Sequence, residues 1–300
     1  MSGLECVLAG QRLSRRVRLG FGTAAAGVAV ILSGCSAAAL GVGSGGIPGS
    51  HAGAGSSGGK GGIVDGAGGA PGHGTRQAGI AGRPLAGLVV GIDPGHNGGN
   101  STHQAIIDRQ IWNGRAWENC NTTGTATDNG YTEAQFNFQV AVDLRADLTA
   151  AGARVVMTRA ANNGVGPCVN QRAAIMNDAH VNAAIAIHAD GGPPDGRGFA
   201  ILEPIADGAN NAVIGPSGLL GADIRAALLA RTAMPPSNYD GVNGLKARDD
   251  LAGLNLTQVP TVLIEVGNMR NATDASLLIS APFQQQVART LTTAIISFLQ

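Results

Sequence analysis

Four residues of this chain carry side chains suited to holding a metal and moving a proton, and they sit at the ends or starts of patterned segments. His96 lies in Asp93-Pro94-Gly95-His96-Asn97-Gly98-Gly99, directly after the apolar run 88–92 (LVVGI). His188 closes 183–188 (AAIAIH) and is followed by Ala189-Asp190-Gly191. Glu265 stands near the end of 261–266 (TVLIEV), just before Gly267-Asn268. Glu133 begins an amphipathic stretch after Gly130-Tyr131-Thr132, where a carboxylate also suits the positive end of a helix dipole. Two imidazoles and one carboxylate form a common catalytic zinc set that leaves one coordination position open. Zinc lowers the pKa of a bound water towards about 7 and polarises a carbonyl, and a second carboxylate outside the ligand set then takes and delivers the proton. Singly, each residue has an ordinary reading: a satisfied histidine after a strand, or a glutamate that starts a helix. Glu265 is the most informative, because a carboxylate ending a Val/Leu/Ile run is costly to bury without a partner or a purpose. The four together point to catalysis.

The elements that must position them follow from periodicity. The five runs 88–92, 154–158 (RVVMT), 183–188, 198–202 (GFAIL) and 261–266 have strand length and strand composition. Between them, Phe136, Val140, Leu144 and Leu148 recur every fourth residue and make one apolar stripe of a helix. Segments 169–179, 219–232 and 283–299 read as helices too. Strands alternating with helices predict an α/β domain, a three-layer sandwich with a largely parallel twisted sheet flanked by helices. In such sheets ligands gather beyond the carboxyl ends of the strands, which is where His96, His188 and Glu265 fall.

Composition divides the 300 residues into three parts. Nineteen of the 47 glycines lie between Ser36 and Gly87. This Gly/Ser/Ala-rich stretch, residues 36–86, cannot bury enough apolar surface to offset its ordering entropy and is expected to be a flexible linker. Its His51 and His73 are expected to be solvated. Before it, Arg12, Arg15, Arg16 and Arg18 precede a short apolar run at 19–32, the layout of a signal peptide. The run ends in Leu32-Ser33-Gly34-Cys35, which resembles the lipobox of bacterial lipoproteins and implies lipidation of Cys35, with 1–35 as the signal segment. Cleavage within Ser36-Ala37-Ala38-Ala39 is the alternative. The predicted location is the cell envelope, anchored by lipid to the outer face of the membrane, with a secreted or periplasmic protein as the alternative. The first 34 residues hold four arginines and one acid, so the remainder has sixteen basic and nineteen acidic residues, a net charge of −3. A mildly acidic domain lacks the basic footprint of a nucleic-acid binder.

Four segments now carry a resemblance: Ile92-Asp93-Pro94-Gly95-His96, the helix opened by Glu133, Ile185-Ala186-Ile187-His188-Ala189-Asp190 and Leu263-Ile264-Glu265-Val266-Gly267-Asn268. In this order they resemble the zinc-dependent N-acetylmuramoyl-L-alanine amidases, most of all the single-domain secreted form of mycobacteria. The stretches GPCVNQRAAIMN, HADGGPPDGRGF and DLAGLNLTQVP, starting at Gly166, His188 and Asp250, add to it. The resemblance spans residues 87–300, the expected catalytic domain. It implies an amidase-like zinc-exopeptidase fold, one Zn2+ per chain held by His96, Glu133 and His188, and Glu265 as the catalytic glutamate. The implied substrate is peptidoglycan or a muropeptide, cut between the muramic acid lactyl group and L-alanine. Asn268-Met269-Arg270-Asn271 departs from the family pattern, and the segment 97–130, with Trp112 and Trp117, is long.

Other residues have plainer readings. Arg172 and Arg248 are suited to packing an acid, meeting a substrate carboxylate or serving a surface role. His103 and His180 read as structural or solvated, and Tyr131 and the tryptophan pair as core or hairpin packing with sugar contact as the alternative. Cys120 and Cys168 are the only cysteines in the folded part, and export favours their oxidation to a disulfide. Two competing functions remain at this level: a zinc carboxypeptidase or other peptidase on the same scaffold, and a non-catalytic wall-binding lipoprotein.

Overall fold

The computed structural model describes residues 82–300. The signal segment, Cys35, His51, His73 and the linker as far as residue 81 lie outside the described residues. Residues 82–86, expected as the end of the linker, instead belong to the fold: the Leu85 side chain is fully buried in the core and its amide donates to Ala151 O at 3.0 Å. In chain order, β1 (Val89–Pro94) is followed by the short helix α1 (Gln104–Ile107), the strands β2 (Gln110–Trp112) and β3 (Trp117–Asn119), α2 (Glu133–Ala150), β4 (Arg154–Met157), α3 (Val169–Asp178), β5 (Ala183–Asp190) and β6 (Ala200–Pro204). Then come α4 (Ile214–Arg231), β7 (Leu245–Arg248), α5 (Ala252–Asn255), β8 (Thr261–Asn268), α6 (Ala272–Leu278) and α7 (Ala281–Leu299).

Six strands form one sheet in the order β4-β1-β5-β8-β6-β7. Strands β4, β1, β5 and β8 are mutually parallel, and β7 is parallel to β6. Among the described residues, the β6–β8 pairing is the one antiparallel pairing of this sheet. Its cause is chain length: only nine residues separate the end of β5 from the start of β6. A parallel return needs a crossover of a dozen residues or more, so β6 turns back from the edge where β5 finished. The largely parallel three-layer sheet expected from the sequence is the observed one.

Alternation in β5 and β8 sorts the two faces. Ile185, Ile187, Val262 and Ile264 join Phe136, Leu144 and Leu291 in the main core, where α2, α4 and α7 cover the sheet. Ala184 faces the other way and packs with Met176 of α3, beside Val89 and Val156. By the same period of two, His188 and Glu265 belong to this second face. Helix α2 begins where Thr132 accepts a hydrogen bond from the Gln135 amide, and it buries Phe136, Val140, Leu144 and Leu148, the stripe read from the sequence. Helix α4 starts five residues before the apolar pattern suggests, at Ile214. Strand β7, with Lys246 and Arg248 among its four residues, has no apolar run to betray it.

Within the long segment 97–130, β2 and β3 form a separate two-stranded hairpin. Its far end is covalently held, because Cys120 and Cys168 form a disulfide with a sequence separation of 48. The bridge joins the hairpin to the start of α3, where Val169 N also donates to Cys120 O at 2.8 Å. In the chain-entropy description, closing a loop of this size stabilises the fold by about 4 kcal/mol. Cys120→Ala/Cys168→Ala should therefore unfold at lower denaturant with a loss of up to about that amount. Alkylation of the exported protein without prior reduction should label neither cysteine; labelling of both would show that the bridge does not form.

Candidate active site

Strands β1, β5 and β8 end side by side, and their carboxyl ends bring three of the four sequence candidates to one rim. Beyond β1 the chain makes a close approach at Gly95, where any Cβ would collide with the His188 ring. His96 follows with φ 57, in the left-handed region that non-glycine residues seldom adopt. Its Nδ1 lies 3.0 Å from Thr122 O, a hydrogen bond that places the proton on Nδ1 and leaves Nε2 as the free donor atom. Glu133, the first residue of α2, meets it from the opposite side. Glu133 Oε1 lies 3.1 Å from His96 Nε2 and 2.9 Å from His188 Nδ1. The ligand-capable atoms of His96, Glu133 and His188 all lie within 4.8 Å of one another.

The second oxygen of Glu133 accepts from Thr125 N at 3.0 Å, and Asn137 Nδ2 lies 3.3 Å from Oε1. Asn137 also donates to Gly95 O at 3.2 Å, so one buried amide links α2 to the loop after β1. Gly124, with φ +73, is pressed against the same pair: a Cβ there would lie 2.8 Å from Glu133 Oε2. Burial alone favours the neutral acid, but the two imidazoles hold Glu133 well below the usual carboxylate range.

Two buried arginines fix the loop that carries His96. Arg172 donates to Asp93 Oδ1 at 2.6 Å, to Pro94 O at 2.7 Å and to His96 O at 2.9 Å. Arg159 donates to Pro94 O at 2.8 Å and to Ala134 O at 2.9 Å, so it ties the β1 end to the first turn of α2. Its guanidinium also stands 4.8 Å from the Phe138 ring centroid. Buried cations of this kind need every donor matched, and backbone carbonyls at a strand end supply the acceptors.

Glu265 faces His188 directly across the β5–β8 ladder, next to a register shift between His188 and Asp190. Its Oε2 is buried without a hydrogen-bond partner. Burial first, then the charges of Glu133, Asp190 and Asp240, push its pKa well above the ordinary value, with Arg248 partly offsetting them. Arg248 itself grips Asp250 through two contacts of 2.6 Å. Asp190 accepts from the Tyr239 hydroxyl at 2.8 Å. The site thus holds two carboxylates driven in opposite directions, the pattern by which one fold keeps one acid charged and another able to exchange a proton. A cavity of about 230 Å³ opens beside His96 and His188, walled by Met176, Ala184, Leu254 and Leu263 and flanked by Glu118 of β3.

The remaining candidates fall where their plainer readings put them. His103 and His180 are exposed. Tyr131 packs at the edge of the main core, and its hydroxyl accepts from Gln284 Nε2 at 3.0 Å. Asn268 is fully buried and donates to Pro193 O and Gly196 O, while Asn271 caps α6, so the Asn-Met-Arg-Asn departure serves the loop after β5. The tryptophans are hairpin residues and not core: both are exposed. Sequence reading missed Arg159 and Asn137. The available signals were a charged residue just past a strand end, for Arg159, and an amide one turn after Glu133 beside an apolar stripe, for Asn137.

A His–Glu–His cluster on the carboxyl rim of a parallel sheet, its glutamate buried and its histidines half-buried, with a separate carboxylate beside it, is an arrangement competent for metal-assisted hydrolysis. The family model for N-acetylmuramoyl-L-alanine amidase (Amidase_3) matches residues 90–297. The chain is 44% identical over 216 residues to the N-acetylmuramoyl-L-alanine amidase Rv3717 of Mycobacterium tuberculosis, covering 72% of this chain and 88% of that protein. The crystal structure of the N-acetylmuramyl-L-alanine amidase Ami1 from Mycobacterium smegmatis superposes with a TM-score of 0.68 at 45% identity, over 72% of this chain and 98% of that one. Its counterpart from Mycobacterium abscessus gives 0.68 at 40% identity, over 72% and 100%. This chain belongs to the Amidase_3 family of N-acetylmuramoyl-L-alanine amidases.

The Asp93–Arg172 pair generates a stability prediction. Burial works to raise the Asp93 carboxyl, but Arg172 beside it and the Thr158 hydroxyl hold it below the ordinary 3.8. A depressed folded pKa contributes stability that is complete above the ordinary value and fades as pH falls through the depressed one. Arg172→Met should cost roughly 3 kcal/mol at neutral pH, because it strands a buried carboxylate. Asp93→Asn/Arg172→Met should cost less and should flatten the acid limb of the stability curve. Denaturant unfolding between neutral and acid pH checks both; an unchanged acid limb in the double variant would show that Asp93 does not drive it.

Proposed function

We propose that this chain is a zinc-dependent amidase that hydrolyses the amide joining the lactyl group of N-acetylmuramic acid to L-alanine in peptidoglycan. The observation that carries the reading is the pairing of a two-imidazole, one-carboxylate cluster with a separate carboxylate at Glu265, whose Oε2 is buried with no hydrogen-bond partner among the described residues. The donor set fits zinc. Its nitrogen and oxygen atoms converge within 4.8 Å, and Thr122 O orients the His96 ring with Nε2 inward. His96, Glu133 and His188 would hold the ion; when bound, it supplies an acidified water and a charge that polarises the scissile carbonyl.

The chain's own residues then do the rest. Glu265 takes a proton from the attacking water as its oxygen bonds to the lactyl carbonyl carbon. It returns that proton to the alanine nitrogen as the carbon–nitrogen bond breaks, leaving a free carboxylate on the sugar and a free amino terminus on the peptide. A carboxyl with a raised pKa suits both halves of that transfer. Arg159 and Arg172 keep the His96 loop in place throughout.

The N-terminal sequence supports export and anchoring at Cys35, which would hold the hydrolase at the outer membrane face within reach of the wall. Stable anchoring takes two or more chains, as lipoproteins of this pattern carry. Cys35→Ala should move the protein from the membrane fraction to the soluble one. A wild-type mature N-terminus at residue 37 or later would overturn the anchor.

Digestion of purified sacculi followed by mass analysis tests the reaction. The expected products are intact stem peptides and peptide-free lactyl glycan, abolished by chelator; free amino acids would indicate a peptidase instead. Glu265→Gln keeps shape and hydrogen bonding but removes the base. Zinc content and melting temperature should stay near wild type while turnover falls by about 10²–10⁴-fold or more. Loss of zinc in that variant would make Glu265 a ligand, and a collapse of stability ahead of turnover would make it structural. His96→Ala/His188→Ala should retain no stoichiometric zinc.

A further inference from the structure

Trp112 and Trp117 are the only tryptophans of the chain. They are Cα partners across the β2–β3 hairpin, with ring centroids 5.8 Å apart in an edge-to-face arrangement. Both face solvent, at 47% and 68% exposure. Alternation turns Ile111 and Glu118 inward, and Glu118 flanks the same cavity as His96 and His188. Asn119, which shares the tryptophan face, lines that cavity too, so the hairpin bounds the site at the edge from which its two indoles face solvent.

The hairpin does not need those rings to hold its place. Asn113, 2% exposed, donates to Asp250 O at 3.3 Å and accepts from the Arg115 and Ala116 amides. Arg115 donates to Ala206 O at 2.8 Å, and the Cys120–Cys168 bridge fixes the base. In a chain with 3% aromatic residues, both tryptophans stand on a rigid platform beside the site and contribute nothing to the core. Exposed apolar surface rimmed by polar groups marks a binding face, and an indole combines a broad apolar surface with one N–H donor.

We propose that the Trp112–Trp117 pair is a docking platform for the glycan strand of the substrate, taking the apolar faces of successive N-acetylated hexose rings. The exposed polar side chains of Gln110, Arg115 and Asn119 at its rim meet hydroxyl and acetamido groups. The inference rests on the amidase reading for the identity of the polymer. It adds a second contact, so that a strand engaged at the metal cluster also lies across the hairpin and the enzyme favours polymer over isolated muramoyl peptide.

Because the two tryptophans are the only ones, tryptophan emission of the full-length zinc-loaded protein reports on this platform alone. Titration with peptide-free strands of alternating N-acetylglucosamine and N-acetylmuramic acid should shift the emission to shorter wavelength and protect it from iodide quenching, whereas free stem peptide should not. Trp117→Ala should weaken sedimentation with those strands by about two- to tenfold, and the double alanine variant further. With wall polymer the double variant should show a raised KM at unchanged kcat, and with a single-sugar muramoyl peptide both constants should stay at wild-type values. Emission unmoved by glycan, or moved only by phosphatidylglycerol vesicles, would overturn the proposal, the second outcome assigning the face to lipid. Glycan binding to peptide-free strands needs no turnover, so its failure is separable from failure of the amidase reading, which would appear as no cleavage of the muramoyl peptide by wild type.

Discussion

One carboxylate oxygen organises this domain. Glu133 Oε1 sits between an imidazole from the loop after β1 and another from the end of β5, at 3.1 and 2.9 Å. Three separate elements must therefore arrive at one point, buried from water, with tolerances of a few tenths of an ångström. The parallel order β1-β5-β8 supplies coarse convergence, because all three strands end on the same edge. Fine placement comes from the polar groups beneath it. Arg172 and Arg159 saturate the carbonyls of Pro94, Gly95 and His96, and Asn137 bridges the same loop to α2. The left-handed backbone at His96 is the strained conformation that such a web of bonds can sustain.

The two glutamates show how position divides labour between identical side chains. Glu133 is surrounded by imidazoles and backbone donors, which favour the anion. Glu265, across the ladder from His188, is surrounded by other acids and keeps one oxygen without a partner, which favours the neutral form. Arg248 is the cation that stands to neutralise it, but Asp250 claims that guanidinium in a bidentate pair. The carboxylate left unpaired is the one for which we propose a mobile proton.

What the sequence disclosed and what it hid follow from the same physics. His96, His188 and Glu265 were legible because a polar residue ending an apolar strand is anomalous on its face, and the α/β topology says where strand ends meet. The stripe of α2 was legible because Phe136, Val140, Leu144 and Leu148 repeat at helical spacing. Strand β7 was hidden, because it sits at the sheet edge and carries Lys246 and Arg248 where apolar residues would be diagnostic. The hairpin was hidden for a related reason: three-residue strands are too short for periodicity to register, and their order derives from Asn113 and a disulfide. Arg159 was hidden because four of its five hydrogen-bond partners are backbone carbonyls, which leave no trace in side-chain patterns.

The disulfide has a further consequence, for variation. It anchors Cys120 to the start of α3, so the chain between His96 and Cys120 is a loop with both ends fixed: one by the arginines, the other by sulfur. Closure entropy grows only as the logarithm of length, and doubling such a loop costs about 0.6 kcal/mol. Immediately beyond the staple, Thr122 O holds Nδ1 of His96, and Asn121 Oδ1 accepts from the Thr122 amide. Insertions and deletions at the hairpin turn are therefore cheap in closure entropy and open to drift or to engineering, because the staple and the arginines keep both ends of the loop in register.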